Sequence, residues 1–437
     1  MTQTLSAEAR KEKFFTANRG IPFIPAAFSI AASWVWAPAL FTSGEVAYKY
    51  GWQGIAWFVV PNVLVLILFA WFAARIRDRM PHGFTLSDYM RHTYSIRVGR
   101  VYVVQLSALA ICSFAVQLIA GAAVICFITG WGYLAVTAGL TLTALVYSFA
   151  GGLKASVTAD FMHIALTLLV VLTFAPAVVS SVGLSTVAEG LSSADVDPWA
   201  LAVAFGIPTA IGLLSGPFGD QSFWTRSFAI KRTAVAKSFV TGGFIFATVP
   251  LLMATLGAAA SGSGMTVDNP QLANVVAVQE LLPSWAIIPF AIMVIVALVS
   301  TMDNNLISFA TLTGHDMQSE SRDPITSGRV VMVIAALVAL GIANVPGITV
   351  TTLFLIYGTL RATTLAPTII TLWRDRPASE HGIFWGTFIA AAVGLPVFIY
   401  GSFVPGAEWA KPIGSILVIG ISFAIVLTTT RLKERKE

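Results

Sequence analysis

Charge is scarce in this sequence: Asp, Glu, Lys and Arg make up 11% of its 437 residues. Soluble domains carry about 25%, so most of this surface does not face water. Cysteine is nearly absent as well. Cys112 and Cys126 are the only two, and on one helix they stand about 21 Å apart at ~1.5 Å per residue, too far to bridge. Both read as packing residues. Two cysteines and five histidines show no metal-ligand cluster, and no nucleophile is paired with a base. An enzyme is therefore not expected, and no organic cofactor is called for. The N-terminal stretch MTQTLSAEARKEKFFTANRG lacks an apolar h-region before a small-residue cleavage site, so no cleaved signal is expected.

What the chain has in excess is apolar length. Hydrophobic residues reach 57%, more than one soluble core can hide, which makes the bilayer the solvent. Each span needs ~20 mainly apolar residues. Twelve such stretches occur, at 22–48, 54–74, 101–128, 131–149, 156–181, 199–226, 237–260, 285–313, 328–345, 350–373, 382–401 and 412–430. An even number puts both termini on one side. With that side cytoplasmic, all but three of the 26 basic residues fall in inside loops; Lys49, Arg361 and Lys411 are the exceptions. The positive-inside rule then orients the chain in the inner (plasma) membrane. No basic face or stripe favours nucleic acid as a partner.

Residues 1–20 form a cytoplasmic segment, 21–181 hold five spans, 199–374 five more, 382–430 two accessory helices, and 431–437 a tail. Two halves with an odd number of spans insert in opposite senses, which is the arithmetic of an inverted repeat. The first span of each half carries helix-breaking chemistry: Ser33-Trp34-Val35-Trp36-Ala37-Pro38 in one, Ser215-Gly216-Pro217-Phe218-Gly219-Asp220-Gln221 in the other. Non-helical backbone at that depth is tolerated only where it is buried or lines a polar cavity. Matched breaks point to a transport site, although ordinary proline kinks remain the plainer reading of each alone.

Polar residues are few within the spans. Ala297, Ser300, Thr301, Asn304 and Ser308 share one face of the eighth span, suited either to tight helix packing or, with carbonyls from a broken first span, to an oxygen-only Na⁺ site. Asp160, His163 and Thr167 share a face of the fifth. Asp160 reads either as an interfacial carboxylate or as a cation ligand, and His163 as a hydrogen-bonded packing residue. Asp160, Asp220 and Asp303 against Arg361 leave a net charge of minus two at membrane depth, which invites cations. Arg361 either pairs with one of these aspartates or faces an anionic solute, since its fork fits carboxylates.

Gly151-Gly152-Leu153-Lys154-Ala155 followed by Asp160, Asp220-Gln221 through Arg226, and Ala297 to Asp303 together resemble the motifs of the sodium:solute symporter family. Lys13 to Arg19, Ser33 to Ala37 and Tyr48 to Gly51 are most similar to its urea and polyamine transporter branch. The resemblance implies an all-α, LeuT-type 5+5 inverted repeat with two further helices, and alternating access. It implies a Na⁺ site of the Ala32, Val35 and Ala297 carbonyls with the Ser300 and Thr301 hydroxyls, and a second cation near Asp160, Asp303 and Asn304. It places a small polar solute, urea or a related nitrogenous compound, near Trp34, Trp36, Gln117, Gln221 and Phe223. Asp220, Tyr357 and Arg361 join the solute list by their position in the spans. Most family members have an additional helix before the Phe14-Phe15-Thr16-Ala17-Asn18-Arg19 segment. Retention of Asp160 weighs against proton-coupled urea transport, and Arg361 matches no family position, which keeps a carboxylate-bearing solute open. A membrane sensor is the rival from another class, and a signalling domain after the last span is not expected.

Overall fold

The computed structural model describes residues 7–150, 153–192, 195–316 and 324–434. Gly151 and Gly152, the start of one motif, and Arg322 of a basic loop lie outside them. Among the described residues helices dominate and no strand forms; one parallel bridge joins Ile21 to Ile230. Nine described helices are long and apolar enough to cross a membrane. Three expected spans appear as shorter apolar helices, Phe23–Trp34, Tyr133–Phe149 and Pro198–Leu214. The first and third are short because their spans break, as expected, at Val35–Trp36 and after Leu214.

The first two expected spans meet inside one continuous helical run, Thr42–Arg79, and the chain turns at Gly51 (φ 56°, ψ −142°). Only glycine takes that conformation without strain, and a Cβ there would also lie 2.1 Å from the Leu191 carbonyl oxygen. A break absent from the expected spans divides the tenth into Val350–Ala362 and Leu365–Trp373. Gln105 Nε2 donates to the Leu360 carbonyl at 2.6 Å there, and Ser422 Oγ to that of Thr363 at 3.1 Å.

Small residues set the closest helix contacts, as van der Waals packing in lipid favours. Thr42–Arg79 and Val235–Gly262 approach so closely that a Cβ on Gly257 would stand 2.1 Å from the Gly44 carbonyl oxygen. Gly257→Ala is expected to force these helices apart at a cost of about 1–3 kcal/mol. Thermal unfolding in detergent reads this as a lowered Tm; an unchanged Tm contradicts it. The two C-terminal helices, Glu380–Phe403 and Ala410–Glu434, pair along a similar seam at Gly382, Gly386 and Gly394.

Candidate functional site

Helix Phe23–Trp34 stops because Val35 leaves helical space (φ −83°, ψ 81°) and Trp36 is extended. A short turn, Ala37–Leu40, restarts the path with Pro38 near its beginning. The Ala37 amide donates to Gln117 Oε1 at 2.8 Å, and Asn274 Nδ2 donates to the Leu40 carbonyl. Among the described residues no hydrogen bond reaches the carbonyls of Ser33, Trp34 or Val35. The sixth span breaks in parallel fashion. Pro217–Gly219 forms a tight turn, Asp220 is extended, and its Oδ1 accepts from the Ser222 amide at 2.9 Å, capping helix Gln221–Ala229.

Asp160 is fully buried and accepts four hydrogen bonds: Ser29 Oγ at 2.6 Å, Arg226 Nη2 at 2.7 Å, Ser300 Oγ at 2.8 Å and Asn304 Nδ2 at 3.1 Å. Arg226 is itself 1% exposed. Its Nε donates to Ser29 Oγ at 2.9 Å, Nη1 to the Ser222 carbonyl at 3.1 Å, and Nη2 also to Asn304 Oδ1 at 3.0 Å. A buried ion pair is tolerable only when its remaining donors and acceptors are met, and these are. Asp160 is therefore a buried, paired carboxylate and not an interfacial one, and Arg226 leaves its expected basic loop for the protein interior. With Arg226 added to Asp160, Asp220, Asp303 and Arg361, the formal charge of minus two becomes minus one.

Asp303, 2% exposed, forms no ion pair among the described residues and accepts from Ser148 Oγ at 2.7 Å. Ala297, Ser300 and Thr301 line up on helix Ile287–Asp316 as the spacing implies. Thr301 Oγ1 donates to the Ala297 carbonyl at 3.1 Å, and Ser300 turns to Asp160. The Ala32 carbonyl accepts from the Val35 amide at 3.2 Å. His163 and Thr167 are buried, and among the described residues neither ring nitrogen nor the hydroxyl has a partner, unlike the hydrogen-bonded histidine expected there.

The two breaks enclose a cavity of about 10 Å³, lined among others by Trp34, Trp36, Asp220, Thr301, Asn304 and Arg361. That is room for about one water. Arg361 is 1% exposed and forms no ion pair among the described residues, so of the two readings of Arg361 the aspartate pairing is not seen. Its guanidinium carbon stands 3.7 Å from the Tyr357 ring centroid, 5.2 Å from Trp36 and 5.6 Å from Trp34. Trp34 stacks on Trp36 and meets Phe223 edge-on at 5.2 Å. Phe223 thus backs the site without lining it. Gln117 is occupied at both ends, by the Ala37 amide and by the Ser113 carbonyl. Gln221 faces away, toward the Leu86 amide and Thr225.

Asn304 joins the two ends. It lines the cavity, and its side chain bonds Asp160, Arg226 and Ser156. Sequence reasoning missed Ser29 and Arg226 beside Asp160, Ser148 and Ser156 beside Asp303 and Asn304, and Ser113, Ser222 and Asn305 of the cavity lining. A signal existed: a buried carboxylate demands a cation, and Arg226 ends the same motif that Asp220 begins.

A strap closes the basic end of the molecule. Ala17, Asn18 and Arg19 all have positive φ, each costing about 1–2 kcal/mol. Arg19 holds the turn: Nε pairs with Glu12 at 2.9 Å, Nη1 donates to the Gly83 carbonyl at 2.8 Å, and Nη2 to that of His82 at 2.9 Å. Burial lowers the Arg19 pKa from its usual value and Glu12 opposes the fall. Beside it the Ile21 amide donates to the Ala229 carbonyl and the Lys231 amide to that of Ile21. Arg19→Ala is expected to speed hydrogen exchange at these two amides by about tenfold. Unchanged exchange contradicts a clamping role.

Residues 14–390 match the profile of the sodium:solute symporter family. The urea-proton symporter of rice, Oryza sativa subsp. japonica, is 23% identical over 90% of this chain and 61% of its own length. The urea active transporter of Saccharomyces cerevisiae is 26% identical over 73% of this chain and 48% of its own length. The chain thus spans about half to three fifths of these relatives. A Na⁺-coupled sialic acid symporter, solved substrate-bound and outward-open, superposes with a TM-score of 0.78 at 12% identity, over 97% of this chain and 92% of that one. Fold, motifs and breaks agree: the chain belongs to the sodium:solute symporter family and is a multi-pass membrane protein of the LeuT type.

Proposed function

We propose that this protein couples Na⁺ entry to uptake of a small polar nitrogenous solute, in the plasma membrane with both termini cytoplasmic. The carrying observation is the helix break at Val35–Trp36, which leaves the Ser33, Trp34 and Val35 carbonyls without a hydrogen bond among the described residues, beside a cavity that Ser33 and Trp34 share with Thr301. Oxygen-only ligands suit a hard monovalent cation. Na⁺ takes the Val35 carbonyl, the Ala32 carbonyl as it trades its Val35 amide, the Ala297 carbonyl, and the Ser300 and Thr301 hydroxyls turned from their present acceptors. Asp303 and Asn304 with Asp160 offer a second cation position. The solute site lies between Trp34, Trp36, Asp220 and Arg361, with Tyr357 packed on Arg361, and these side chains part from the closed one-water cavity to admit the solute. The relatives' names put urea among the candidate solutes. Na⁺ shifts the conformational equilibrium only through its differential affinity for the two states. The Ser300 and Asn304 contacts to Asp160 supply that difference, because they join the ion side to the solute side.

A second reading rests on Asp303, a buried carboxylate without a cation partner, which suits proton coupling. Reconstituted protein separates the two. An inward Na⁺ gradient at equal pH is expected to drive saturable uptake, and a proton gradient without Na⁺ is not. Uptake driven by protons alone overturns the Na⁺ reading and favours Asp303.

A further inference from the structure

The donors and acceptors around the solute cavity do not balance. Arg361 Nε and Nη1, and the ring N–H groups of Trp34 and Trp36, are buried without a hydrogen-bond partner among the described residues. All belong to side chains lining one cavity, and all are donors. Leaving such groups unmet is costly, and a buried cation without a counter-ion more so. Aromatic faces attract the guanidinium but offer its N–H groups no oxygen. The side chain is held in place from behind: a Cβ on Gly219 would meet Arg361 Cγ at 2.8 Å, so the Pro217–Gly219 turn packs against the arginine stem. On the same cavity stands Asp220, with Oδ1 taken by the Ser222 amide and no ion pair to Arg361. The opposite charges share a cavity without closing on each other.

We infer that the transported solute is amphoteric, with a carboxylate that docks on Arg361 and an ammonium or other N–H group that meets Asp220. A carboxylate supplies two acceptor oxygens and the missing counter-charge, and the guanidinium fork binds it in bidentate fashion. Urea supplies one neutral oxygen and leaves Arg361 without a counter-ion. The amine end then balances Asp220, so the net-neutral solute leaves the site charge unchanged. This inference rests on the solute-symporter reading and narrows its substrate class to short amino acids.

The test is binding to the purified full chain in detergent, by isothermal titration with and without Na⁺. Glycine and β-alanine, with propionate as the amine-free acid, are set against urea, acetamide and glycinamide. At least one of the acids is expected to bind, with its amide counterpart weaker by about 100-fold. Arg361→Gln is expected to abolish that preference while keeping or raising the ligand-free Tm, because it removes an unpaired buried charge. Asp220→Asn is expected to weaken the amine-bearing acids and spare propionate. Urea binding equally to wild type and Arg361→Gln with no acid bound, or no acid bound at all, overturns the inference. The underlying reading fails separately: an acid that binds through Arg361 yet is not taken up by proteoliposomes under any gradient leaves the site and removes the symporter.

Discussion

Arg226→Ala is expected to lower the stability of the whole chain by about 3–5 kcal/mol, because it strands the fully buried Asp160 carboxylate without its cation. The measurement is the yield and Tm of the detergent-purified variant. Few substitutions cost more than 4–5 kcal/mol, so a large loss of folded protein is the expected reading. Asp160→Asn combined with Arg226→Gln removes both charges and retains groups that hydrogen-bond Ser29, Ser300 and Asn304. That double variant is expected to recover most of the yield. A single variant as stable as wild type contradicts the account of the buried pair.

Asn304→Ala carries the second large effect. Asn304 donates to Asp160, accepts from Arg226 and Ser156, and lines the solute cavity. Its loss leaves three partners short of a bond, at about 1–3 kcal/mol for each group left unmet. It also cuts the side-chain link between the cluster around Asp160 and the solute. The expected outcome is solute binding that no longer responds to Na⁺, checked by titration in Na⁺ and in choline. Reciprocity demands that Na⁺ affinity lose its dependence on solute as well. Retained enhancement of solute affinity by Na⁺ removes Asn304 from the coupling path.

How much of this was legible in the residues follows from what each feature depends on. The breaks at Val35–Trp36 and Ser215–Asp220 are local: proline, glycine and polar residues within an apolar run announce them. The break at Thr363–Thr364 is not. Threonine is common in membrane helices, and the bonds that hold that break come from Gln105 and Ser422, about 258 and 59 positions away. The Gly51 turn was hidden because a single glycine between apolar runs looks like an ordinary linker.

The site divides in the same way. Trp34, Trp36, Asp220 and Arg361 come to one cavity, as positions on broken or polar-bearing helices suggested. Gln117 and Gln221 also sit at the right depth, but their amides serve backbone groups, which spacing alone does not reveal. Arg226 was read as a loop cation because positive charge near a span's end usually faces cytoplasm. Its burial depends on Asp160, 66 residues earlier in the chain.

A cation held at Ser300 and Thr301 is what drives the solute cavity through alternating access. The direct measurement is the initial rate of solute uptake into proteoliposomes under an inward Na⁺ gradient, for wild type and for Ser300→Ala with Thr301→Ala. The account predicts that the double variant folds, binds solute in saturating concentration, and loses Na⁺-stimulated uptake by at least about tenfold, the worth of ~1.4 kcal/mol. Unaltered Na⁺ stimulation in that variant contradicts it.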